Sequence, residues 1–379
     1  MGRSSERTRR GRAHHPDLGG CAAIRFALRT LVIAWLAPVA ATAQDPAHPP
    51  HHTFELGDFP LELGATLPGG RLLYVTHGAL NADRSNAVLV PSWYGGNHHG
   101  YDFLIGPDRA LDTDDYFVIV TEMFASGGSS SPSNMGLTHA SFPTVTIRDN
   151  VEATWRLVTE HFGITHLRAI VGFSMGAQQA FQWAVSHPEF MDVIVPIAGT
   201  AKTYPHGVVR LESALTLITR DPSLLAGHDT LSTAGTRAWS LHWSAWTRST
   251  EWWRMELFRA ADTPTVESVI ERAERRSPNF RPHDNVIQGR AWQMHDIGDT
   301  PGFGGDVERA LASIRAHVLY LPGQTDMYFP ITDAEYDRRF LTDVDFRPIP
   351  SVWGHTAGSG PTSEDRQFLN EAIRDALAR

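Results

Sequence analysis

Residues 169–180 read AIVGFSMGAQQA: an apolar run, a serine framed by Gly172 and Gly176, then residues with helical preference. The apolar part, beginning at Leu167, suits a buried strand, and residues 176–186 suit a helix. A chain that passes from strand to helix across one residue turns sharply. A side chain at either flanking position would then strike a neighbouring element, which is why glycine stands there. Ser174, left at the apex, takes a strained backbone conformation at the carboxyl end of its strand. This G-x-S-x-G pattern predicts a nucleophile, with the amides at the helix start directed to where negative charge would develop.

A serine hydroxyl is nearly unreactive at neutral pH and needs a base, which in turn needs an orienting acid. In an open α/β sheet such groups gather at the carboxyl ends of strands, in the chain order Ser, acid, His. The run HVLYL at 317–321 leads into PGQTDMYFP, which puts Asp326 in a Gly- and Pro-punctuated loop. The last apolar run leads into SVWGHTAG, with His355 directly after a glycine. The predicted relay is Ser174, Asp326 and His355. His98, His99, His242 and His295 are poorer candidates because none follows a late strand. Met175, next after the nucleophile, should supply one oxyanion donor through its N–H. Trp93, in the loop PSWYGG at 91–96, should supply the second, with Tyr94 in reserve.

Working outward, strand-like runs recur at 70–76, 86–90, 116–121, 167–171, 192–197, 316–321 and 345–349. The central ones are continuous Val, Ile and Leu, as strands buried on both faces read. Amphipathic helical patterns at 146–162 and 176–186 lie between them, and another at 364–377 follows the last. The fold class is therefore α/β: a doubly wound, mostly parallel sheet. From 204 to 307 the strand rhythm stops, and six of the eleven tryptophans fall there. This interval is expected to be a helical cap inserted between core segments 54–203 and 308–379. Trp239, Trp243 and Trp246 share one helical face, suited either to packing the cap or to walling an acyl pocket, with Trp243 and Tyr94 as candidate substrate contacts.

The chain has 379 residues, 42% hydrophobic and 20% charged, a balance that implies a large globular core. Its first 43 residues read as a signal peptide: seven arginines, an apolar run at 31–40, then Ala41-Thr-Ala43. Export to the periplasm or the outside is thus expected, without membrane insertion after cleavage. A Pro- and His-rich stretch, 44–53, follows as a flexible lead-in. Cleavage would remove Cys21, the single cysteine, and leave 26 basic against 40 acidic residues, a net charge of −14. Such a surface disfavours nucleic acid and anionic lipid. No phosphate loop, nucleotide fingerprint or metal-ligand spacing is visible, so no cofactor or metal is expected.

With these residues in place, the chain resembles the homoserine O-acetyltransferase-like branch of the α/β-hydrolases. The likeness runs through HGALNADRSNAVLV (77–90), IGPDRALDTDDYFVIV (105–120), FPTVTIRDNVEA (142–153), GFSMGAQQAFQWA (172–184) and HDNVIQGRAWQMHD (283–296). It implies an α/β-hydrolase fold with a helical cap, a Ser174–Asp326–His355 triad and acyl transfer through serine. Members that acetylate homoserine carry an aspartate right after the histidine, placed to hold the amino group of the acceptor. Here that position is Thr356, whose neutral hydroxyl cannot pair an ammonium as a carboxylate does. The resulting expectation is an exported serine hydrolase acting on a small carboxylic ester. Transfer of an acyl group to a small hydroxyl or amine is the alternative, and a non-catalytic binding module a third reading. A homodimer through the cap is possible.

Overall fold

The computed structural model describes residues 49–261, 263–273, 275 and 280–379. The leader expected over 1–43 and the lead-in as far as residue 48 lie outside the described residues. Eight strands form one sheet: β1 (His52–Pro60), β2 (Thr66–His77), β3 (Ala87–Pro91), β4 (Phe117–Thr121), β5 (Leu167–Phe173), β6 (Met191–Ile197), β7 (His317–Tyr320) and β8 (Val344–Phe346). Their spatial order is β1-β2-β4-β3-β5-β6-β7-β8. β2 runs antiparallel to β1 and β4, and every pair from β4 to β8 is parallel.

The parallel strands read as unbroken apolar runs because consecutive side chains enter different cores. Val88, Val90, Ala169 and Val171 join a cluster with Leu369 and Ile373 of the C-terminal helix. Leu89 and Ile170 join the opposite cluster with Phe181 and Trp183 of the Met175–Ser186 helix. Each of the Val, Leu, Ile and Phe side chains, fully buried, contributes about 1.5–3 kcal/mol. The Ile147–Arg156 helix starts at a capping box between Thr146 and Asp149, and a π-helical turn, Leu157–His161, extends it.

β1 departs from expectation. The lead-in was expected to run through residue 53, yet His52 and Thr53 already pair with Tyr74 and Leu73. Register shifts on either side of Gly57 put the buried side chains at Leu56 and Phe59, three apart. That spacing hides the period of two by which a half-buried strand is recognised.

Between β6 and β7 the described residues contain helices and no strand, the longest being Pro205–Thr219, Thr233–Thr247 and Pro282–Gln293. The cap springs from a narrow neck. Thr203 donates its N–H to the His295 carbonyl (2.8 Å), Ile297 donates to Ala201 (3.3 Å), and Lys202 pairs with Asp296 (2.5 Å). The neck therefore closes near residue 297 and not near 307. The strandless loop after it resembles cap in sequence but leads back to the core.

Candidate active site

β5 ends at Phe173 and the next helix begins at Met175, which leaves Ser174 alone at φ 57°, ψ −119°. A non-glycine residue in such a region costs about 1–3 kcal/mol, so the surroundings must hold it. Ser174 donates its N–H to the Ile197 carbonyl on β6 (2.9 Å), and Phe173 donates its own to the Tyr101 hydroxyl (2.8 Å). A Cβ at Gly172 would lie 2.1 Å from the Gly176 carbonyl oxygen, and one at Gly176 would lie 2.6 Å from that of Pro91. Both glycines are thus demanded by close backbone approach.

The Ser174 hydroxyl lies 3.0 Å from His355 Nε2, and His355 Nδ1 lies 2.8 Å from Asp326 Oδ2. The second Asp326 oxygen accepts the N–H groups of Tyr328 (2.6 Å) and Phe329 (3.0 Å). Its charge is thereby satisfied although the residue is buried. The imidazole is fixed by Phe173, Tyr328 and Phe329, whose ring centres lie 4.9, 5.2 and 5.5 Å away. Gly354, at φ 60°, turns the chain into His355, where a Cβ would lie 2.7 Å from the Ser249 nitrogen of the cap. The arrangement has the geometry that a proton relay needs: with Nδ1 protonated toward the carboxylate, Nε2 is left to accept from the hydroxyl.

Met175 is the first residue of its helix, so its N–H has no carbonyl one turn back to bond. Just past β3, the N–H groups of Trp93 and Tyr94 find no acceptor among the described residues. The Trp93 ring wedges its loop in place, edge-on to Tyr101 (4.8 Å) and Phe173 (5.1 Å). The Tyr94 ring stacks on Trp243 at 5.1 Å, and Trp243 lies 4.8 Å from Tyr328. Of the tryptophans on one helical face, Trp239 is buried in the cap's own core. Trp243 and Trp246, half-buried, border the cluster of Met175, Trp292 and Tyr328. Thr356 takes another role. Its hydroxyl donates its proton to the Trp353 carbonyl (2.8 Å), within its own turn.

Sequence reading missed Arg210. It is buried; Nη2 donates to the Tyr328 carbonyl (3.1 Å), and the guanidinium carbon lies 3.2 Å from the Tyr328 ring centre. Burial lowers its pKa from the usual arginine value. Its Nε and Nη1, the Tyr328 hydroxyl and the indole nitrogens of Trp243 and Trp292 are buried without hydrogen-bond partners among the described residues. A signal was present, since Arg210 falls on the stripe that Ala214 and Ile218 continue, where an apolar residue belongs.

Residues 87–230 match the family model of the alpha/beta hydrolase fold. The ethyl acetate hydrolase of Pseudomonas veronii is 36% identical over 338 residues, covering 87% of this chain and 96% of that protein. This chain belongs to the α/β-hydrolase family. Within it, a homoserine O-acetyltransferase of Symbiobacterium thermophilum is 30% identical over 354 residues, with 82% and 91% covered. An acetylester hydrolase structure from Corynebacterium glutamicum superposes with a TM-score of 0.81 at 32% identity, covering 87% of this chain and 96% of that one. This α/β-hydrolase is accordingly an enzyme of the esterase and acyltransferase group.

Proposed function

We propose that this α/β-hydrolase cleaves small carboxylic esters, acetate esters foremost, through an acyl-enzyme on Ser174. The observation that carries the reading is the unbroken relay, 3.0 Å from hydroxyl to imidazole and 2.8 Å from imidazole to carboxylate. His355 takes the Ser174 proton as Oγ adds to the ester carbonyl, and the N–H groups of Met175 and Trp93 receive the oxyanion. His355 then returns the proton to the leaving alcohol. Water repeats the cycle in reverse order, which releases the acid and restores the serine. The small acyl group is supported by relatives that are an ethyl acetate hydrolase and an acetylester hydrolase. Water as acceptor is supported by Thr356, a neutral hydroxyl that cannot pair an acceptor's ammonium as a carboxylate would. Ser174→Ala should abolish hydrolysis of p-nitrophenyl acetate, and activity within roughly tenfold of the parent would overturn the assignment.

One observation favours acyl transfer instead: two nitrogens of the buried Arg210 have no partner among the described residues, suited to an acceptor that carries a carboxylate. Competition decides between the two. Acylated homoserine or serine formed at the expense of free acid would favour transfer; free acid alone keeps the hydrolase. The basic and apolar leader supports export, which fractionation of cells producing the full chain tests.

A further inference from the structure

The loop that carries Trp93 and Tyr94 is held at its root by the core and at its tip by the cap. At the root, Gln179 donates to the Ser92 carbonyl (2.8 Å), and the Ser92 hydroxyl accepts the Met123 N–H (3.0 Å). At the tip, Gly95, at φ 66°, donates its N–H to Gln288 Oε1 (2.8 Å). Gln288 sits on the Pro282–Gln293 cap helix, 1% exposed, and its Nε2 donates to the Phe124 carbonyl (3.3 Å). One amide thus ties together the cap, the loop after β3 and the loop after β4. The neighbouring Asn285 contributes its main-chain carbonyl to the Tyr94 hydroxyl (3.2 Å).

An amide-by-amide account of the loop gives this contact its meaning. The Ser92 N–H goes to the Thr121 carbonyl, that of Gly96 to the Trp93 carbonyl, and that of Gly95 to Gln288. Among the described residues, only Trp93 and Tyr94 in this run keep a free N–H. Gly95 is exposed and has no side chain to hinder rotation of its peptide, so without an acceptor above it the turn has many accessible geometries. We propose that Gln288 is a positioning residue that aims the oxyanion-binding amides by fixing the Gly95 peptide from the cap. The inference rests on the reading of Trp93 as an oxyanion donor. It adds that the cap, besides covering the site, holds half of the oxyanion hole in register.

A donor displaced from the developing oxyanion costs transition-state binding while leaving ground-state binding nearly intact. Gln288→Met keeps the side-chain length and removes both polar atoms. It should lower kcat for p-nitrophenyl acetate roughly 10- to 100-fold with KM within about twofold. It should also weaken a trifluoromethyl ketone inhibitor, whose adduct oxygen occupies the oxyanion position, by the same factor. Gln288→Glu, which keeps an acceptor for Gly95, should fall between the parent and Gln288→Met in both measurements. Rates are taken per site titrated with a fluorophosphonate, so misfolded protein does not enter. Should Gln288→Met not fold, the same pair of measurements on Gln288→Leu, which also lacks an acceptor for Gly95, decides. The proposal is overturned if activity per site stays within twofold of the parent, or if activity falls while inhibitor affinity does not. A parent enzyme that fails to label at Ser174, or a Ser174→Ala variant that stays active, sinks the acyl-enzyme reading itself and is told apart by that result.

Discussion

Asp326→Asn separates proton logic from packing. The parent carboxylate offers one oxygen to His355 Nδ1 at 2.8 Å and the other to the amides of Tyr328 and Phe329 at 2.6 and 3.0 Å. An asparagine of the same shape can keep its carbonyl oxygen on those two amides, which turns its NH₂ toward the imidazole. Nδ1 must then accept, so the ring proton moves to Nε2, 3.0 Å from the Ser174 hydroxyl. The base becomes a donor toward the group it should deprotonate. Loss of the correct tautomer with geometry intact costs about 10,000-fold in kcat, which at about 1.36 kcal/mol per decade is about 5.4 kcal/mol. The assay is p-nitrophenyl acetate hydrolysis per correctly folded molecule, with the melting temperature as control. A variant that melts like the parent and retains more than about a tenth of its kcat would refute the relay.

Two further outcomes follow from single contacts. Trp243→Ala removes the ring stacked on Tyr94 and lying against Tyr328. If that ring bounds the acyl pocket, the kcat/KM ratio for p-nitrophenyl octanoate over acetate should rise at least tenfold, worth about 1.4 kcal/mol. An unchanged ratio with a lower melting temperature would show that Trp243 only packs the cap. His295 in the cap neck is buried, which pushes its pKa down to about 3, with the Arg148 charge adding to the effect. Below the unfolded value of about 6.5 the unfolded chain takes up a proton that the folded chain refuses. Stability present above pH 6.5 is therefore lost as pH falls toward 3, by about 5 kcal/mol from this group. His295→Gln should flatten the acid limb of the urea midpoint plotted against pH, and parallel curves for variant and parent would contradict the assignment.

How much of this was legible depends on the range of the forces involved. The turn at Ser174 is local: a strand pattern, a helix pattern and two glycines within five residues specify it, and the clash distances at Gly172 and Gly176 show why no other residue serves. The unbroken apolar strands likewise announced a sheet covered on both faces. β1 escaped because the shifts around Gly57 break its period of two. Arg210 escaped because a lone charge in an apolar helix face carries no information about what lies opposite.

By itself the chain determined the order and kind of the core strands from β2 onward, the sharp corner that bears the serine, and the two late loops that bear the acid and the histidine. Each of those follows from short-range sterics and from alternation along a few residues. Only the tertiary structure decided that Gln288 reaches the Gly95 peptide, that Thr356 turns its hydroxyl onto Trp353, and that Arg210 lies against Tyr328. Those contacts join positions brought together by the closing of the cap on the sheet. A hydrogen bond or ring contact of a few ångströms depends on that closure far more than on any pattern in the neighbouring sequence.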